Sequence, residues 1–169
     1  DYDTTGLLIL TNDGDLANKL THPKNKIIKT YLAKCAGIIT KEQIDKLKKG
    51  IYIDDRKVDI IDFKVKKIDK EKNATFISIS IIEGRNHIVK RLFESIGLLV
   101  DKLTRTHYDF LDLGNLKSGE YRTLSIKEVK KLYRNWETLQ LSKNEQVFEQ
   151  VSGPISNFKS LMMLLTGSV

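Results

Sequence analysis

The chain has 169 residues, enough for one ordinary hydrophobic core and an appendage. Its 29 Lys+Arg against 22 Asp+Glu give a net charge of +7, a balance suited to a polyanionic partner because cationic contacts to phosphates release counterions. The single cysteine, Cys35, excludes an intrachain disulfide, and the apolar runs fall short of the roughly 18 residues that span a bilayer, so a cytoplasmic protein with no membrane partner is expected.

In chain order, TGLLILT reads as a strand, and TNDGDLANKL as a short helix that Asn12 or Asp13 can cap, with Leu16 and Leu20 inward and His22-Pro23 as the stop. KIIKTYLAKC is a second strand. In TKEQIDKLKKG, Thr40 and Gln43 have capping-box spacing, Ile44 and Leu47 share a face, and Gly50 ends the helix. KVDIIDFKVKKID and ATFISISII follow as strands; in the latter Ile77, Ile79 and Ile81 alternate with Phe76, Ser78 and Ser80, which predicts an interior position. NHIVKRLFESIG predicts a helix capped by Asn86, with Ile88, Val89, Leu92, Phe93 and Ile96 as its apolar stripe and Lys90 beside it. LLVDKLTRTHYDF is strand-like, and SIKEVKKLYRNW predicts a helix with a Ser125/Glu128 capping box and Ile126, Val129, Leu132 and Tyr133 facing inward.

Strands outnumber helices without strict βαβ alternation, so the expected fold is α+β: a mixed, mainly antiparallel sheet with helices packed on it, those starting near Asn86 and Ser125 lying against ATFISISII. Residues 1–135 form one domain and 136–169 an extension. In the extension Leu161, Met162, Leu164 and Leu165 fit an amphipathic docking helix or a core contribution, docking on the domain being favoured.

Asp1 and Asp3 stand at the mouth of the first strand, where carboxylates can serve simply as turn caps. His22, His87 and His107 have no ligand spacing with one another or with Cys35, and no phosphate-binding glycine loop occurs, so no metal or organic cofactor is expected.

Taken in order, D-Y-D-T-T-G-L-L-I-L-T-N-D-G, K-T-Y, E-G-R-N-H-I-V-K-R-L-F, L-T-R and L-K-S-G-E-Y-R-T-L resemble RNA pseudouridine synthases of the branch that modifies ribosomal RNA. The resemblance runs from residue 1 to about 135 and makes that segment the catalytic domain. It implies that Asp1 is the catalytic acid, supported by Asp3, Thr4 and Gly6 of the same motif, with Tyr31 and Lys90 completing the site. Ile88 stands where glutamine is usual, and His107 where a second arginine is usual. Arg85, His87, Arg91, Lys102, Arg105, His107 and Arg122 are then the expected RNA-binding residues.

The chemistry joins these residue types. Uridine loses its N1–C1′ bond, turns while held and rejoins through C5. A carboxylate can attack the sugar or draw off a sugar proton, and both routes stay open. Lysine keeps that carboxylate ionised, and tyrosine stacks on the base or carries a proton. Ribosomal RNA is the expected partner, small-subunit RNA first and large-subunit RNA as the alternative. Two other classes compete: a non-catalytic RNA-binding module, disfavoured by an acid that repels phosphate, and a protein-interaction domain built on the tail.

The family's strand ending glycine-arginine-leucine ahead of the acid, and its small RNA-binding domain, do not precede Asp1 in this sequence. A chain so constituted is expected to be weak or inactive, with a free α-amino group beside the Asp1 carboxylate and an open sheet edge that invites association; the intact enzyme is expected to be a monomer.

Overall fold

A computed structural model describes the backbone of residues 4–141 and 163–168 and side chains as far as Tyr133. Strand β1 (Thr4–Leu10) leads into helix α1 (Gly14–Thr21), and a one-turn 3-10 helix at Pro23–Asn25 precedes β2 (Lys29–Ala36). Helix α2 (Lys41–Lys49) and a small hairpin, β3 (Tyr52–Ile53) with β4 (Arg56–Lys57), come next. Then follow β5 (Ile60–Asp69), β6 (Ala74–Ile81), α3 (Ile88–Ser95), β7 (Leu99–Tyr108), β8 (Leu111–Asp112), β9 (Tyr121–Thr123), α4 (Ile126–Leu141) and β10 (Met163–Ser168).

The main sheet has the strand order β5-β6-β2-β7-β1-β10-β9, with β8 attached to β7. Only β1 and β7 run parallel among these pairs, so the sheet is mixed and mainly antiparallel, as expected. The isoleucine alternation decides where β6 lies. Ile77, Ile79 and Ile81 are fully buried, and β6 is flanked by β5 and β2. Burial of each such side chain is worth about 1.5–3 kcal/mol, which holds the register, since a one-residue slip would turn all three to the other face.

Two clusters of buried side chains organise the rest. In the first, Ile77, Ile79 and Ile81 pack with Ala33 and Cys35 of β2, Leu47 of α2, and Ile88, Val89, Leu92 and Phe93 of α3. The second joins Leu7 of β1, Leu16 and Leu20 of α1, Tyr108, Leu111, and Val129 and Leu132 of α4. The helix beginning at Ile126 therefore packs with the β1 end of the molecule and not with β6. Ile126, expected inward, is exposed.

The helix ends follow local chemistry closely. Asp13 caps α1, its carboxylate accepting from the Leu16 N–H at 3.0 Å. The Thr40 hydroxyl accepts from the Gln43 N–H at 3.2 Å while the Gln43 side chain accepts from the Thr40 N–H at 2.9 Å, completing the box. At α3 the expectation fails: the cap is His87, in left-handed conformation with φ 51°, and no side chain caps the helix.

At α4, the Glu128 carboxylate accepts from the Ser125 N–H at 2.8 Å and takes two bonds from the Arg122 guanidinium at 2.7 and 2.9 Å. Arg122 first, and then the Ser125 bonds, hold the Glu128 pKa down at about 2 against an ordinary 4.5. A carboxylate with a depressed folded-state pKa stabilises the fold above its unfolded pKa and loses that contribution as pH falls toward the folded value. Glu128→Gln keeps the cap but not the charge. Its loss of urea resistance is expected to be largest above about pH 5 and to shrink as pH falls toward 2. A pH-independent gap would show that the Arg122 pair contributes nothing.

The tail also departs from expectation. Residues 163–168 form a strand, not a docking helix, antiparallel to β1 from Thr5↔Ser168 to Leu10↔Met163. β10 thereby occupies the edge of β1 expected to lie open. Short apolar runs do not distinguish strand from helix by periodicity, which explains the error.

Candidate active site

The opening motif places its residues through one close approach. β1 and β7 run parallel with Gly6 beside Arg105, and a Cβ on Gly6 would lie 2.2 Å from the Arg105 carbonyl oxygen and 2.6 Å from its nitrogen. Gly6 also has φ +117°, open to glycine and strained for other residues. On either side of this contact, the Thr5 and Thr104 hydroxyls share a 3.0 Å hydrogen bond and Arg105 Nε donates to the Leu7 carbonyl at 2.8 Å. Thr4, 3% exposed, is thus fixed at the floor of a cavity of about 240 Å³. Asp1 and Asp3, just ahead of it, lie outside the described residues.

β2 supplies the next wall. Lys29 and Tyr31 are two apart, so they share a face of the strand, the one that carries Ala33 and Cys35 into the core. Where that core opens, both side chains line the cavity. A bulge sharpens the aim: Tyr31 pairs with Arg105 but Thr30 pairs with His107, leaving Thr106 as the extra residue on β7. Its hydroxyl donates to the Thr30 carbonyl at 3.2 Å, and Arg105 is turned toward the same cavity as Tyr31.

The turn into α3 closes the third side, with Arg85, His87, Ile88 and Val89 in the lining. Lys90 is the next residue of that first helical turn, half-buried. The structure therefore brings Thr4, Tyr31, Arg85, His87 and Arg105 around one cavity and sets Lys90 on the element that walls it.

The remaining cations have other surroundings. Arg91 is paired twice with Asp54, at 2.5 and 2.8 Å, which puts it on the β3–β4 hairpin side of α3. Arg122 belongs to the α4 cap, and Lys102 and His107 are exposed along β7. Arg85, though in the lining, gives two bonds to the Glu83 carboxylate, at 2.5 and 2.8 Å, and a third to the Ile53 carbonyl at 2.6 Å. Its charge is already neutralised, and it ties the entry turn of α3 to the hairpin.

Lys29 was not singled out from the sequence, although its spacing from Tyr31 was the available signal. Its ammonium donates to the Glu83 carbonyl at 3.2 Å, and no carboxylate pairs with Lys29 or Arg105 among the described residues. Both cations sit over the buried Tyr108 ring, Lys29 at 5.7 Å and Arg105 at 5.3 Å from its centroid. Burial, and then the Arg105 charge, lower the Lys29 pKa from its ordinary value. Cys35, by contrast, is pushed up to about 12 by burial and is no nucleophile. Among the described residues no group of three or more His, Cys, Asp or Glu could hold a metal ion, and no helix is long and apolar enough to cross a membrane.

A pocket of this size, with one aromatic wall and two cations that no carboxylate pairs among the described residues, suits a planar base on a phosphate-bearing chain. Comparison with known proteins agrees. A family model described as RNA pseudouridylate synthase matches residues 1–95. The chain is 50% identical over 132 residues to ribosomal large subunit pseudouridine synthase B of Bacillus subtilis (strain 168), covering 78% of this chain and 54% of that protein. It is 38% identical over 134 residues to an uncharacterized RNA pseudouridine synthase of Aquifex aeolicus (strain VF5), covering 79% and 53%. A crystal structure of a pseudouridylate synthase superposes with a TM-score of 0.66 at 33% identity, over 78% of this chain and 56% of the other. The chain thus spans about half the length of the curated relatives it matches.

Proposed function

Since the chain belongs to the RNA pseudouridylate synthase family, we propose that it converts a uridine of large-subunit ribosomal RNA to pseudouridine. The observation that carries this reading is the convergence of Thr4, Tyr31 and Arg105, far apart in sequence, on one cavity at the entrance of β1. Asp1 lies three residues ahead of Thr4 in the sequence, and Thr4 lines that cavity, so the acid is assigned to it by this reading. There it assists cleavage of the N1–C1′ bond, either as nucleophile or as base, while Tyr31 holds the base for rotation and Lys90 keeps the carboxylate ionised. Reaching the pocket requires the uridine to leave its stack, as enzymes acting on a base within structured RNA demand.

What supports large-subunit over small-subunit RNA is the name of the 50% identical relative. The small-subunit preference expected from the sequence has no support among these relatives. The test is tritium release from C5-labelled uridine, with large- and small-subunit RNA fragments offered separately. Release from the large-subunit fragment alone is expected; release from the small-subunit fragment alone would overturn the substrate assignment and keep the reaction.

A further inference from the structure

A second cavity, about 430 Å³, adjoins the first and shares Lys29, Glu83, Gly84 and Arg85 with it. Its lining adds Lys26, Arg56 and Lys57 to Lys29, with apolar patches from Leu20, Ile27 and Ile82. Two carboxylates, Asp59 and Glu83, also reach it, but Glu83 is neutralised by Arg85. The cavity is therefore a cationic trough with apolar residues in its lining, and Lys29, common to both cavities, stands at the sill between it and the Tyr31 pocket.

We propose that Lys29 and Arg105 grip one backbone phosphate at this sill, and that the RNA strand adjoining the target uridine runs from there into the second cavity along Lys26, Arg56 and Lys57. The proposal rests on reading the first cavity as a uridine pocket. Three features carry it. Two cations held over the one Tyr108 ring repel each other, and an anion between them relieves both. The sill adjoins a cavity of about 430 Å³, room for a sugar and base, with Leu20, Ile27 and Ile82 in its lining to meet their apolar faces. Arg56 and Lys57 sit on the exposed β3–β4 hairpin, which Arg91 and Arg85 fix to α3 by their bonds to Asp54 and the Ile53 carbonyl. The hairpin thereby becomes a rigid bank of the trough, and a phosphate there meets positioned charges.

The experiment measures binding of a fluorescent uridine-containing RNA hairpin to the chain over a series of salt concentrations. Each phosphate contact to a single strand contributes about 0.7 to the slope of log affinity against log salt. Lys29→Gln is expected to lower the slope by about that amount and to weaken affinity about tenfold, the scale of one charged hydrogen bond. Lys29→Arg should restore both. The double variant Arg56→Gln, Lys57→Gln, whose positions are exposed and carry no core packing, should lower the slope by more than Lys29→Gln does. Lys66→Gln, exposed on β5, should leave it unchanged and so controls for net charge. The inference is overturned if the hairpin and Lys29 variants keep the parent slope, if Lys66→Gln changes it equally, or if the parent chain does not bind this RNA. Tritium release is read in parallel. Slopes that move as expected, with no release even from excess chain carrying a glycine-arginine-leucine strand ahead of Asp1, would uphold the phosphate track and refute the isomerase reading; release with unmoved slopes would do the reverse.

Discussion

Gly6→Ala is expected to cost about 3–5 kcal/mol of stability and to remove activity with it, the sum of left-handed backbone strain and overpacking. The methyl group would meet the Arg105 oxygen, nitrogen and carbonyl carbon at 2.2, 2.6 and 2.9 Å, all backbone atoms that no rotamer change can move. β1 and β7 would have to separate at the contact that fixes Thr4, the Thr5–Thr104 bond and the Arg105 side chain. The matched control is Gly119→Ala, where φ is +82° but nothing lies within 4 Å of the added carbon. There only the conformational cost applies, about 1 kcal/mol. Urea midpoints of the two variants decide the matter: equal losses would show that the β1–β7 approach is not the constraint described.

Asp1→Asn is expected to lower the rate of uridine isomerisation by at least about 10³-fold while leaving RNA affinity unchanged, a loss in the chemical step alone. The amide has the carboxylate's shape but neither attacks C1′ nor accepts a proton, so both routes close together. Lys90 keeps its charge in the variant, and this keeps RNA binding from falling. A variant that binds RNA as the parent does and releases tritium at the parent rate would remove Asp1 from the mechanism. One that fails in binding alone would make it a structural cap, as short acids before a strand often are.

Much of the fold is legible in short-range pattern. The Thr40–Gln43 and Ser125–Glu128 boxes, the Asp13 cap and the isoleucine alternation of β6 are each set by residues within one turn or one strand. What escaped the sequence is non-local. Arg91 finds its carboxylate on the β3–β4 hairpin and Arg122 on α4, so basic residues expected to face RNA are engaged within the protein. The approach of β1 to β7 that explains Gly6 joins residues about a hundred positions apart. The cap of α3 is His87 in left-handed conformation, one residue beyond the Asn86 that local pattern offered, and no side chain caps the helix. Of the residues that resemblance picked out, Thr4, Tyr31, Arg85, His87 and Arg105 line one cavity, Lys90 lies on the adjoining turn outside the lining, and Asp1 and Asp3 fall outside the described residues. Lys29 escaped because a lysine on a strand reads as solvated until its burial is seen.

The most direct measurement incubates uridine-labelled large-subunit RNA with the chain in excess, with and without a strand ending glycine-arginine-leucine joined ahead of Asp1, and follows tritium release together with pseudouridine among the digested nucleosides. Excess protein lets a slow catalyst complete its single turnover, and the joined strand supplies the clamp that positioning the acid to roughly 0.5 Å requires. The account predicts one tritium released for each pseudouridine formed, faster with the strand than without it. Intact RNA binding with neither tritium nor pseudouridine in either form would contradict it.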